Sequence, residues 1–108
     1  MEKTPTQENA PVLLKEASIS DIPVLLELEQ SVAGTNVYSP MLDENEWTEE
    51  LQKNNVYLIE KNNAVVGNLS YERKGSDHVY ISGIVVVPAF QGQGIAREVK
   101  IYLRNSRA

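Results

Sequence analysis

The sequence predicts an α+β (α/β) domain, a mostly antiparallel sheet flanked by helices in the order βααβββα. Three observations carry that prediction. Two early segments repeat apolar residues at helical spacing, three later runs alternate and are rich in β-branched residues, and a proline-stopped apolar strand leads through a glycine-bearing loop into a last amphipathic helix. A chain of 108 residues is one domain at most. It divides into an arm, residues 1–10, polar with Pro5 and expected to be flexible, and a domain over residues 11–108.

Val12 to Glu16 is a short strand-like run. Ser18 and Ser20 then offer caps for a helix starting near Ser20, with Pro23 tolerated in its first turn. Ile22, Leu25, Leu26, Leu28 and Val32 form its apolar stripe, and Gly34 ends the pattern. Thr35 to Pro40 is a loop. Asp43-Glu44-Asn45-Glu46 is an acidic opening suited to the positive end of a second helix reaching about Lys53, with Trp47 and Leu51 on its buried face. From Val56 the period becomes two. Val56 to Glu60 and Ala64 to Arg73 form a hairpin around Asn62-Asn63, and after a turn at Gly75-Ser76-Asp77 a third strand runs from His78 to Val87. Pro88 cannot continue a ladder, Ala89 to Gln93 make a loop, and Ile95, Val99, Tyr102 and Leu103 mark the last helix.

Composition excludes several classes. The chain is 42% hydrophobic and 23% charged, as expected of a globular protein. It has no cysteine, which removes disulfides, thiolate metal sites and a cysteine nucleophile, and makes the cytoplasm the expected location. No apolar run is long enough to span a bilayer and the first residues lack a signal-peptide core, so no membrane association is expected. A net charge of -5 argues against nucleic acid as a partner. The charge is uneven: residues 1–87 carry 6 basic and 14 acidic side chains, whereas Arg97, Lys100, Arg104 and Arg107 face only Glu98 in residues 88–108. Basic residues suit a helix C-terminus, and they also suit a phosphate-bearing ligand.

The chemistry concentrates in Ile84 to Arg97. Gly92 and Gly94 can adopt positive φ, which lets successive N–H groups converge on an anion, and the helix behind them adds unpaired N–H groups and a positive dipole end. A nucleoside-triphosphate loop would need Lys and Ser/Thr where Ile95-Ala96 stand, and a dinucleotide fingerprint would need a small residue where Arg97 stands. Gln91-Gly92-Gln93-Gly94-Ile95-Ala96 instead resembles the acetyl-CoA loop of the GNAT N-acetyltransferase superfamily, Gln/Arg-x-x-Gly-x-Gly/Ala, at each fixed position. The resemblance covers about residues 12–108, in the family's element order, and extends broadly to protein N-terminal alanine acetyltransferases. A glycine turn joining strand to helix, without a ligand, is the competing reading of the same residues.

The resemblance implies a GNAT-like fold and acetyl-CoA as acetyl donor. It implies that Ile84, Val85 and Val86 offer backbone groups to the pantetheine arm, that the amide near Val85 polarises the thioester carbonyl, and that Gly92, Gln93, Gly94, Ile95, Ala96 and Arg97 receive the pyrophosphate with Gln91 holding the loop entrance. The acceptor would be a primary amine of a small molecule or a protein N-terminus, attacking the thioester directly. The family's thiolate-protonating tyrosine lies beyond a further strand, and Ala108 comes too early for it, so a partial domain lacking the C-terminal strands and helix is expected. No catalytic acid or base is assigned. Tyr80 stands where some members carry a glutamate, and His78, Tyr80 and Ser82 share one strand face. Acidic residues on the first helices, including Glu27, Glu29 and Asp43 to Glu46, would favour a cationic acceptor. An unpaired strand 78–87 predicts self-association through that edge. A noncatalytic coenzyme A binding or interaction module derived from the same fold is the alternative function, and no metal is expected.

Overall fold

The computed structural model describes residues 11–33, 41–75 and 78–105. The predicted arm at residues 1–10, the loop Thr35 to Pro40 and the Ser76-Asp77 turn lie outside the described residues.

Within them the order is β1 (Val12–Glu16), α1 (Ile22–Ser31), α2 (Glu44–Lys53), β2 (Asn55–Lys61), β3 (Ala64–Gly75), β4 (His78–Val86) and α3 (Ile95–Asn105). This is the predicted α+β order. One antiparallel sheet has the strand order β1-β2-β3-β4. Among the described residues no helix is long and apolar enough to cross a membrane, and no group of His, Cys, Asp or Glu is arranged to hold a metal.

Local chemistry explains the boundaries. A 3-10 turn, Ile19–Asp21, precedes α1, and the Asp21 carboxylate accepts from the Ser18 N–H at 2.9 Å. Pro23 falls in the first turn of α1, where its missing N–H costs no helical bond. Asp43 caps α2, accepting from the N–H groups of Asn45 at 2.7 Å and Glu46 at 3.4 Å. Asn62 and Asn63 take φ of 56° and 66°, the paired left-handed conformation that closes a two-residue hairpin.

The sheet carries a core on each face. Ile59, Val66, Leu69 and Tyr71 pack under Ile95, Val99 and Leu103 of α3. On the other face Val56 and Leu58 meet Ile22, Leu25, Leu28 and Trp47 of α1 and α2. Tyr102, expected on the buried stripe of α3, is 60% exposed, because the spacing of Ile95, Val99 and Leu103 leaves it at the margin of the contact.

Two irregularities set the site. In β3 the register shifts so that Ile59 pairs with Gly67 and Glu60 with Val65. In β4, Ser70 pairs with Gly83 and Tyr71 with Ile81, which leaves Ser82 as an extra residue. That bulge flips the parity of the strand: Val79 and Ile81 pack toward α3 before it, Ile84 and Val86 after it. The strand ends one residue earlier than predicted, at Val86, although the Val87 N–H still donates to the Val66 carbonyl at 2.9 Å.

Candidate functional site: a strand end and an amide-lined helix start

β4 is an edge strand among the described residues, so half of its backbone groups face away from β3. Successive residues direct their N–H and C=O to opposite edges. The Val87 N–H reaches Val66, and the Val85 carbonyl faces Gly67, so Val85 and Val87 serve the ladder. The outward groups therefore belong to Ile84 and Val86. This revises the expectation for Val85, whose backbone is turned toward β3 and whose side chain is buried.

After Val86 the chain makes a 3-10 turn, Pro88–Phe90, in place of the open loop expected over Ala89 to Gln93. Pro88 starts it because its fixed φ suits a helical first position. The Gln91 side-chain amide then folds back and donates from Nε2 to the Val86 carbonyl at 2.9 Å. Gln91 thereby ties the loop to the strand end.

Gly92 and Gly94 take φ of 85° and 80°, and nothing lies within 4 Å of where a Cβ would stand on either. Glycine is required here by conformation and not by crowding. The first helical bond of α3 runs from the Glu98 N–H to the Gly94 carbonyl at 2.9 Å, and the N–H groups of Ile95, Ala96 and Arg97 have no hydrogen-bond partner among the described residues. A cavity of about 150 Å³ opens beside them, lined by Val86, Phe90, Gln91, Gly92, Gly94, Ile95, Ala96 and Arg97. Positive helix end, unpaired amides, small Ala96 and exposed Arg97 together suit an anion of phosphate type.

Of the predicted residues, Val86, Gln91, Gly92, Gly94, Ile95, Ala96 and Arg97 meet around this cavity. Ile84, Val85 and Gln93 do not line it. The Gln93 Oε1 is buried with no hydrogen-bond partner among the described residues. Phe90 was legible only as an aromatic ahead of the motif, and it proves to be a wall.

The other candidates lie elsewhere. His78 is exposed at the start of β4, about 20 Å along the strand from Ile84 at ~3.3 Å per residue. Glu29 is fully buried, accepting from the Met41 N–H at 2.8 Å and from Asn68 Nδ2 at 3.1 Å, so it is no surface acid facing a cationic acceptor. The Met41 carbonyl in turn accepts from Trp47 Nε1 at 2.9 Å, which pins the segment before α2 between α1 and the sheet. Tyr57 and Tyr71 stack at 6.0 Å with 12° between their planes and share a second cleft with Tyr102 and Arg73, away from the loop. Burial and the neighbouring Tyr71 raise the Tyr57 pKa above its ordinary value.

The sequence matches the model of the acetyltransferase (GNAT) family over residues 22–103, which includes both helices, the hairpin, β4, the loop and α3. This chain belongs to the GNAT acetyltransferase family. Solved structures share the fold at low identity. The ribosomal-protein-S18-alanine N-acetyltransferase of Escherichia coli superposes with a TM-score of 0.67 at 17% identity, over 86% of this chain and 57% of that one. A predicted acetyltransferase from Clostridium acetobutylicum, solved with acetyl-CoA, gives 0.61 at 17% identity over 88% and 72%. An IAA acetyltransferase from Bacillus cereus gives 0.56 at 18% identity over 85% of this chain and 55% of that one. The chain thus spans little more than half the length of two of these three structures. No curated protein sequence matches it.

Proposed function

We propose that this GNAT chain binds acetyl-CoA at the Gln91 to Arg97 loop and serves acetyl transfer to a primary amine of a small molecule or a protein N-terminus. The observation that carries the reading is the cavity at the start of α3, where two positive-φ glycines and three unpartnered amides stand beside the outward edge of β4. The residues fit the group. Ile95, Ala96 and Arg97 would receive the pyrophosphate, Gln91 would hold the loop to the strand through the Val86 carbonyl, and the outward groups of Ile84 with the Val86 N–H would align the pantetheine arm as an added strand. Bound acetyl-CoA would supply a thioester as the acetyl source. The chain's own part is orientation: the outward Ile84 N–H is a fixed donor beside the strand end, a placement that suits a carbonyl on which negative charge develops.

Titration of the purified chain with acetyl-CoA by isothermal calorimetry tests this reading. Saturable binding that Gly94→Glu abolishes is expected, because a side chain at φ of 80° strains the loop and a carboxylate at the cavity wall repels an anion. Absence of binding by the unaltered chain refutes it. Binding without coenzyme A release in the presence of any amine supports the alternative, a coenzyme A binding module without catalysis.

A further inference from the structure

A second chemical feature of β4 lies on the sheet face opposite α3. Ser82, the extra residue of the bulge, places its hydroxyl 3.3 Å from Oε2 of Glu50 on α2 and 3.2 Å from the Ser70 carbonyl. The same Oε2 accepts from Asn54 Nδ2 at 3.0 Å. Asn54 donates to this oxygen and Ser82 shares its single proton between it and the Ser70 carbonyl, which together orient the carboxylate. Its Oε1 has no hydrogen-bond partner among the described residues. Glu50 is half-buried, so this open oxygen meets solvent beside the strand.

The position along β4 is what gives the carboxylate a use. Ser82 precedes Ile84, whose outward N–H was assigned above to the reacting carbonyl, by roughly 7 Å at ~3.3 Å per residue. A nucleophile stands about 3–3.5 Å from the carbon it attacks. Glu50, held at Ser82, thus stands beside β4 about two residues from the reacting carbonyl, a separation that water can bridge. The competing groups are less well placed: His78 lies at the far end of the strand, Tyr80 precedes the bulge and is 54% exposed, and Glu29 is committed to Met41 and Asn68.

We propose that Glu50, oriented by Asn54 and Ser82, takes the proton released by the acceptor amine. The assignment rests on the acetyl-transfer reading of the loop. In the step, the amine nitrogen bonds to the acetyl carbon, the carbon–sulfur bond breaks and its electron pair leaves on sulfur. The nitrogen's proton passes through water to Glu50 Oε1 and on to solvent, and the thiolate is protonated from solvent.

The test measures acetyl-CoA affinity by calorimetry and coenzyme A release with two probes, n-butylamine and the weakly basic methoxyamine. For Glu50→Gln the expected result is unchanged acetyl-CoA affinity and a fall in kcat with n-butylamine of about 100-fold or more. The fall with methoxyamine should be much smaller, since that amine holds its proton less tightly. Glu50→Asp should restore part of the rate. Ser82→Ala, which removes one orienting donor, should lower kcat about fivefold without changing affinity, and it decides the matter should Glu50→Gln fold poorly. Equal losses with both probes, a parallel loss of acetyl-CoA affinity, or a Glu50→Gln rate within about threefold of the unaltered chain overturns the assignment. So does an unaltered chain that binds acetyl-CoA and releases no coenzyme A with either probe. An unaltered chain that binds no acetyl-CoA removes the coenzyme reading first, and this inference with it.

Discussion

Replacing Gly67 by alanine would test how tightly the fold and the site share one piece of backbone. Gly67 pairs with Val86 of β4, where an added methyl group would overlap the Val85 carbonyl oxygen and lie 3.1 Å from its carbon and 3.3 Å from the Val86 Cα. All three are backbone atoms, so no rotamer change relieves the contact and the two strands must part. Overpacking of this kind costs about 1–3 kcal/mol. Parting the strands also weakens the 2.9 Å bond from the Val87 N–H to Val66, a loss of about 1 kcal/mol. The expected destabilisation is therefore about 3 kcal/mol, against a total stability on the order of 5–15 kcal/mol for a domain of this size. Urea denaturation followed by tryptophan fluorescence reports it directly, since the single tryptophan, Trp47, is buried in the opposite core. Gly75→Ala is the control. Nothing lies within 4 Å of its Cβ position and its φ is not positive, so it should leave stability unchanged or raise it by up to about 1 kcal/mol. Should Gly67→Ala unfold within about 0.5 kcal/mol of the unaltered chain, the claim that β3 and β4 are locked at Val85 is wrong. Because the same pairing turns Ile84 and Val86 outward, the variant should also bind acetyl-CoA more weakly.

Further consequences can be checked on single residues. Gln91→Glu removes the donor that reaches the Val86 carbonyl and sets a negative charge beside the cavity at the start of α3; on the proposed reading, acetyl-CoA affinity should fall about tenfold or more. Gln91→Arg keeps an N–H donor and should bind within about threefold of the unaltered chain in the same calorimetric assay. For Tyr57 the folded pKa is raised above 10.0, mainly by burial and then by Tyr71. Its contribution to stability is thus complete below pH 10.0 and declines as pH rises through the folded value. Melting temperatures measured across that window should fall more steeply for the unaltered chain than for Tyr57→Phe, and identical slopes would contradict the assignment.

The loop was legible because its constraints are local. Positive φ at Gly92 and Gly94 is a property of one residue, the stop at Pro88 is a property of its ring, and the helix behind them announces itself by periodicity; none of these needs a distant partner to be predicted. The same holds for the Asn62-Asn63 turn and the acidic opening of α2. Expectations failed where a residue's role depended on what faced it across the sheet. Glu29 reads as one more surface acid on α1, and only the approach of Asn68 and Met41 makes it a buried acceptor. Tyr102 has helical spacing with the buried stripe, yet the sheet beneath α3 is met by Ile95, Val99 and Leu103.

Local sequence was enough for the order of elements, the break in the ladder imposed by Pro88 and the positive φ of Gly92 and Gly94, because periodicity, ring closure and glycine conformational freedom act within a few residues. Tertiary structure alone decided that Ile84 and Val86 face outward while Val85 serves the ladder, and that Ser82 stands out of register beside Glu50. A bulge leaves no mark in the alternation of β4, since it arises from the pairing of two strands, and shifting that pairing by one residue exchanges which backbone groups and which side chains each face presents.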